Sequence, residues 1–180
     1  AFAHWWPADL HVVGKDINRF HTIIWPAMLM SAGIDLPRLV WVHGWLLTGG
    51  ERMSKSRGNF LDPHAVVAAF GADGARYVTL REVAFDKDTE VSWSSFVRRY
   101  NADLANDFGN LLNRTLSMTQ RYTDGERPAP TPDGALAAAW PAIVAQYGDK
   151  LEACRLNEAV VALWEMVGAA NRLVDAEQPW

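Results

Sequence analysis

Cysteine is nearly absent: Cys154 is the only one in 180 residues. No disulfide framework and no thiolate zinc site can be built within the chain, and no metal-binding residue is expected from it. Cys154 is expected to act as a small buried hydrophobe. Long apolar runs are missing too. Charge, Gly or Pro interrupts each one before a membrane-spanning length, which argues against a membrane role. The opening Ala1-Phe2-Ala3-His4-Trp5-Trp6-Pro7 has neither a basic leader nor a long apolar stretch, so it does not read as a signal peptide. Ala1 in place of an initiator Met suggests a fragment or a processed chain. An excess of positive charge is also lacking. The net charge of −4 does not advertise nucleic-acid binding, although Arg52, Lys55 and Arg57 cluster, as do Arg98 and Arg99, with Arg114, Arg121 and Arg127 further on. Repeats and low-complexity tracts are absent. What remains is a chain that is 49% hydrophobic and 21% charged, a globular composition whose natural compartment is the cytoplasm.

The first sixty or so residues read as α/β. Leu10-His11-Val12-Val13 is a short apolar strand ending at Gly14. A helical pattern follows from Asp16 through Ile17, Phe20, Ile24 and Leu29, in which Pro26 should introduce a kink or start a second set of turns, and Gly33 should end it. Leu39-Val40-Trp41-Val42 is a second buried strand, closed by His43-Gly44. Trp45 to Thr48, Gly49-Gly50 and Glu51 to Met53 suggest a hairpin or a strand running into a glycine turn. From Asp62-Pro63 the pattern turns helical and stays so. Gly71 ends one helix, and a short one runs from Asp73 to Glu82. Ser92 caps a long helix to about Tyr122, whose stripe is Phe96, Tyr100, Leu104, Phe108, Leu111 and Leu112. A Pro- and Gly-rich loop precedes two more helices, about Asp133 to Cys154 and Asn157 to Glu177. The second module is expected to be a helical bundle.

The sharpest chemical feature is Arg52-Met53-Ser54-Lys55-Ser56. Gly49-Gly50 and Gly58 flank two hydroxyls and several cations on one exposed stretch. Such a loop suits a polyphosphate, since ammonium groups bind phosphate as point charges and hydroxyls add hydrogen bonds. On charge alone, a solvated basic turn is the favoured alternative. His21 and Trp25, spaced i, i+4, share a helix face, and residue type alone favours a core-facing pair there. His43 at a strand end serves equally well as a structural histidine. Asn110 and Arg114 also share a face, ordinarily a solvated one.

Arg-Met-Ser-Lys-Ser, followed by Arg57-Gly58-Asn59, resembles the KMSKS motif of class I aminoacyl-tRNA synthetases, with Arg52 in place of the usual first lysine. Gly14-Lys15-Asp16-Ile17, Phe20-His21 and Trp25-Pro26-Ala27 resemble the methionyl branch of that family. The resemblance implies a fold: α/β followed by all-α, the second half of a Rossmann-like nucleotide-binding fold and then a helical-bundle anticodon-binding domain. It also implies roles. Lys55 is the catalytic residue, stabilising pyrophosphate as it leaves. Gly14, Asp16, His43, Leu46, Arg52, Met53, Ser54, Lys55 and Ser56 line the ATP site, Leu46 through its backbone and Met53 as the loop's anchor. Gly14 and Asp16 lie just past a strand's carboxyl end, where open α/β sheets bind ligands, and a carboxylate there can accept both ribose hydroxyls. Asp16 can equally be a helix N-cap. Ile17, His21 and Trp25 match positions lining a methionine pocket, and an aromatic wall suits a thioether.

Tyr100 to Asp107, running on into Gly109-Asn110-Leu111-Leu112-Asn113-Arg114, resembles the same family's anticodon-binding domain, as does Glu177-Gln178-Pro179-Trp180. The anticodon readers then fall on Asn110, Arg114 and Trp180; an amide and a guanidinium can read unpaired base edges while an indole stacks. The implied partners are methionine, ATP with Mg2+ as substrate, and tRNA(Met), with no metal held by the chain. The expected division is 1–61 catalytic, 62–91 a connecting helical stem and 92–180 anticodon-binding. The family's His-x-Gly-His element does not occur in these residues, so the 180-residue chain alone is expected to be inactive in adenylate formation. A different class I synthetase, or a non-catalytic tRNA-binding module, would share parts of this pattern.

Overall fold

The computed structural model describes residues 2–130 and 134–178. The chain divides into two compact units. One comprises Ala1–Phe60 with Val83–Val91, the other Leu61–Glu82 with Ser92–Trp180.

In the first unit, a short helix α1 (Phe2–Trp5) precedes strand β1 (His11–Gly14). A 3₁₀ turn over Lys15–Ile17, a π-helical stretch over Phe20–Ile24 and helix α2 (Trp25–Ser31) form the crossover to β2 (Val40–His43). The β-branched Val12, Val13, Val40 and Val42 suit strands. The strands pair in parallel, from His11 opposite Val40 to Gly14 opposite His43. A parallel pair needs such a crossover. Of the two expectations for Pro26, the second holds: a new set of turns starts there. Pro26 sits in the first turn of α2, where its missing N–H costs no hydrogen bond.

Strands β3 (Leu46–Thr48) and β4 (Glu51–Arg52) form a hairpin, the first of the two expected alternatives. Gly49 and Gly50 have φ of 64° and 77°, as a two-residue type I′ turn requires.

Helix α3 (Pro63–Glu82) is broken at Gly71, and Asp62 accepts the His64 N–H at 3.0 Å at its start. The helical pattern expected to persist from Asp62 does not. Residues 83–91 leave it, and β5 (Thr89–Glu90) runs parallel to β3. A two-residue strand of polar side chains has no hydrophobic period to reveal it. The stretch 62–91 is thus shared between the units.

The second unit is helical. Ser92 and Ser95 form a reciprocal cap, each side-chain oxygen accepting the other's backbone N–H at 3.1 Å. The expected long helix consists of α4 (Trp93–Arg99), a π-helical stretch Tyr100–Gly109 and α5 (Asn110–Thr123). Each i→i+5 turn advances the pattern by one residue, so the apolar stripe does not stay on one face. Phe96 is buried, whereas Phe108 and Leu112 are about half exposed, at 46% and 49%. Helices α6 (Ala135–Glu152) and α7 (Leu156–Glu177) pack together, and α7 also packs on α3. Ala159 and Ala162 of α7 and Val78 of α3 are almost fully buried. Cys154 is not the buried filler expected from sequence. It is half-buried, with φ of 57°, in the turn between α6 and α7.

Asp103, 5% exposed, accepts the Tyr77 hydroxyl at 2.5 Å and lies 3.2 Å from Arg81 and 3.4 Å from Arg99. Arg99 also binds Glu82 at 2.6 Å. Burial, reinforced by the neighbouring Asp103 carboxylate, pushes the Tyr77 hydroxyl far above its ordinary pKa. These groups tie α3 to α4 and the π-helical stretch that follows it. Among the described residues, no helix is long and apolar enough to cross a membrane.

Candidate nucleotide site and RNA-contact helix

The carboxyl ends of β1 and β2 meet at the Gly14–His43 pair. Asp16 lies just beyond, in the 3₁₀ turn. A Cβ on Gly14 would come within 2.7 Å of Asp16 Oδ1, so glycine is what lets that carboxylate fold back over the strand end. His43 donates from Nδ1 to the Gly44 carbonyl at 2.9 Å, which leaves Nε2 as the acceptor of the neutral ring. Gly44 itself donates to the Phe85 carbonyl at 2.9 Å.

The basic loop reaches this same corner. Arg52 Nη2 donates to Asp16 Oδ2 at 2.9 Å. That bond holds the Asp16 carboxyl below its ordinary pKa, against a small opposing effect of burial. Both partners are well exposed, so solvent screens the pair and a ligand can displace it. Trp45 provides a platform for two cations: Lys15 Nζ lies 3.9 Å and the Arg52 guanidinium 4.7 Å from its ring. Lys15 also binds Asp88 at 2.5 Å, lowering that carboxyl's pKa, and Asp88 accepts the Trp45 N–H at 2.9 Å.

Within the loop, Met53 donates its N–H to the Leu46 carbonyl at 3.0 Å, which extends the hairpin ladder past β4. Leu46 is therefore engaged through its backbone by the loop itself. Ser54 and Ser56 hydroxyls are 2.8 Å apart, and Lys55 begins a single 3₁₀ turn over Lys55–Arg57. Lys55 Nζ lies 5.5 Å from the Phe60 ring centre. Arg57 pairs with Glu51 at 3.1 Å. At the hairpin tip the Glu90 carboxylate accepts from Gly49 N at 2.5 Å and Gly50 N at 3.1 Å.

Of the three residues suggested for an apolar pocket, Ile17 and His21 adjoin directly, His21 Nδ1 lying 3.0 Å from the Ile17 carbonyl. Trp25 meets Trp6 edge-on at 6.4 Å, and His21 meets His11 at 6.4 Å. Trp6 is in turn fixed by its indole N–H to the Asp35 carbonyl at 2.8 Å. Trp25 is 37% exposed and Ile17 41%, so this face is not closed over as a core pair would be.

In the helical unit, Asn110 begins α5 and is exposed, while Arg114, one turn on, donates to Asp175 of α7 at 2.7 Å. Asn171, one turn before Asp175, donates to the Asp107 carbonyl at 3.2 Å. Trp180 lies outside the described residues. No group of three or more His, Cys, Asp or Glu side chains among the described residues could hold a metal ion.

Sequence reasoning missed Trp45, Asp88 and Glu90. The only signal was the acidic run Asp86 to Glu90, which a helical reading of 62–91 absorbed. The bonds of Asn59 to the loop backbone had no sequence signal beyond its place after the loop.

Comparison with known proteins bears on this geometry. Residues 1–116 match the family model described as tRNA synthetases class I (M). The chain is 46% identical over 186 residues to a methionine–tRNA ligase of Caldanaerobacter subterraneus, covering 99% of this chain and 29% of the relative. It is likewise 46% identical to the methionine–tRNA ligase of Mycobacterium tuberculosis, covering 35% of that protein. The structure of the M. tuberculosis methionyl-tRNA synthetase bound by methionyl-adenylate superposes with a TM-score of 0.89 at 45% identity, over 99% of this chain and 36% of that one. The chain thus spans about a third of the length of the relatives it matches.

Proposed function

We propose, from the premise that this chain belongs to the class I tRNA synthetase (M) family, that it serves in a methionine–tRNA ligase, as the second half of a Rossmann-like nucleotide-binding fold followed by an anticodon-binding helical bundle. The observation that carries the reading is the meeting of Gly14, Asp16 and His43 with Arg52, the first residue of the basic loop, at one strand-end corner. That corner is where α/β sheets bind nucleotides.

The reaction needs two steps. A methionine carboxylate oxygen attacks the α-phosphorus of ATP, bound with Mg2+, and pyrophosphate leaves. The adenylate's carbonyl carbon is then attacked by a hydroxyl of the tRNA's terminal ribose, and AMP leaves. In the first step negative charge accumulates on the departing pyrophosphate. Lys55 supplies the compensating ammonium, while Ser54 and Ser56 add hydroxyl donors. Asp16 accepts the ribose hydroxyls as a carboxylate, the ordinary form of aspartate at neutral pH. Arg52 occupies that carboxylate here, so ribose binding exchanges Arg52 for hydroxyls and frees a guanidinium beside the phosphates. Arg52 thus keeps the charge of the usual lysine and adds a planar fork. His43 and the Leu46 backbone lie by the adenosine, and Met53 anchors the loop.

Ile17, His21 and Trp25 form the wall for the methionine side chain, whose sulfur gains roughly 0.3–1.5 kcal/mol against an aromatic ring. Asn110 and Arg114 read the anticodon of tRNA(Met), with Trp180 stacking on a base. The phosphate contacts of a His-x-Gly-His element would come from outside these 180 residues. The setting is the cytoplasm.

Amino-acid-dependent exchange of pyrophosphate into ATP by the full-length protein tests this reading. Methionine should support exchange far better than leucine, isoleucine, valine or cysteine. A preference for any of these four would reassign the pocket to another class I synthetase.

A further inference from the structure

We propose that Asn59 is a positioning residue for the phosphate loop, its carboxamide closing residues 52–59 into a ring that presets Lys55. The inference rests on the reading of that loop as the ATP-phosphate loop. Asn59 Oδ1 accepts the Ser54 N–H at 2.8 Å, and Asn59 Nδ2 donates to the Arg52 carbonyl at 3.2 Å. A flipped amide would set donor against donor and acceptor against acceptor, so the two partners fix its orientation.

The hairpin ladder explains why a clasp is needed. Leu46 receives the Met53 N–H, the last ladder bond on that side. Beyond it the chain turns through Lys55–Arg57, and Gly58, at φ 71°, reverses direction so that Asn59 faces back. Arg57 N and Gly58 N bond within the turn, to Ser54 O and Lys55 O. Neither of those bonds uses the Ser54 N–H or the Arg52 carbonyl. One carboxamide satisfies both, behaving as a detached peptide unit at the end of β4. Aspartate can accept but not donate there, and serine is too short to span both groups.

The next residue, Phe60, faces the Lys55 ammonium. Of the two residues just after the turn, Asn59 thus bonds its base and Phe60 lies near its lysine. Electrostatic stabilisation of a leaving group depends on donors that are already in place, so loosening the ring should slow the chemical step and leave substrate binding intact.

The test uses the full-length protein and methionine-dependent pyrophosphate exchange, comparing wild type with Asn59→Asp, Asn59→Ser and Lys55→Ala. Both Asn59 variants should lower kcat about tenfold, the loss expected from one or two backbone hydrogen bonds. KM for methionine and the thermal midpoint should stay at wild-type values, and the Ser54 amide should exchange its hydrogen faster. Wild-type kcat in both Asn59 variants, with Lys55→Ala impaired, would overturn the clasp and leave the phosphate loop standing. Wild-type kcat in Lys55→Ala would overturn both. A fall in kcat matched by a fall in thermal midpoint in both Asn59 variants would make Asn59 structural only, and would also overturn the proposal.

Discussion

The two units differ in whether they bury charge: among the described residues the buried ion-pair network lies in the helical unit, beside exposed pairs such as Arg76–Asp73 and Arg155–Glu158. In the α/β unit the ion pairs are exposed: Arg52–Asp16 has side chains 52% and 40% accessible, and Lys15–Asp88 38% and 33%. In the helical unit the Arg81–Asp103 pair is 22% and 7% accessible, and a tyrosine hydroxyl shares the same carboxylate. Exposed pairs are weak and exchangeable, which suits a site whose partners must be swapped for a substrate. Buried pairs add little when complete and are damaging when broken, which suits architecture.

Breaking the buried side should have the largest effect. Asp103→Ala leaves Arg81 without its carboxylate, Arg99 with one of its two, and the Tyr77 hydroxyl unpaired in a half-buried setting. The expected cost is about 3–5 kcal/mol of stability, measured by denaturant unfolding. A loss below about 1 kcal/mol would show that water replaces the network and would erase the contrast between the units.

Lys55→Ala, on the exposed side, should leave stability unchanged. It should cost about 2.7–4 kcal/mol of transition-state stabilisation in the full-length protein, by analogy with removing one oxyanion-hole donor. Loss of methionine affinity with an intact chemical rate would move Lys55 out of the phosphate site.

Arg114 is an intermediate case, half-buried yet proposed to meet RNA. Arg114→Ala should weaken binding of tRNA bearing a methionine anticodon by about 1–3 kcal/mol and leave an anticodon-mutant tRNA little changed. Equal weakening of both tRNAs would make it a phosphate contact.

The smallest effect is a titration. Arg52 holds the Asp16 carboxyl below its ordinary value, so the pair's contribution is fully present above the ordinary aspartate range. It is lost only as pH falls through the depressed value. Arg52→Ala should move the Asp16 carboxyl midpoint, followed by NMR, upward toward that range. An unmoved midpoint would mean that the two groups are not paired in solution.

Much of this was legible in the sequence because local signals agreed. Val12-Val13 and Val40-Trp41-Val42 marked the strands, Gly49-Gly50 the turn and Ser92 the cap. The loop at Lys55 and the carboxylate at Asp16 were visible as motifs. Their contact through Arg52 was not, since 36 residues separate them and no period links the two positions. The π-helical stretch Tyr100–Gly109 was hidden for a different reason. Its sequence is compatible with an ordinary helix, and only its register, seen in the exposure of Phe108 and Leu112, gives it away. Strand β5 was invisible because Thr89-Glu90 is short and polar, yet it delivers Glu90 to the hairpin tip.

The central claim is that the exposed cations of the α/β unit serve ATP. The most direct test is acylation of lysines in the full-length protein, read residue by residue by mass spectrometry with and without ATP and methionine. Lys55 should become protected when both substrates are present, while Lys150, paired with Glu158 in the helical unit, should label unchanged. Equal labelling of Lys55 in both conditions would contradict the claim.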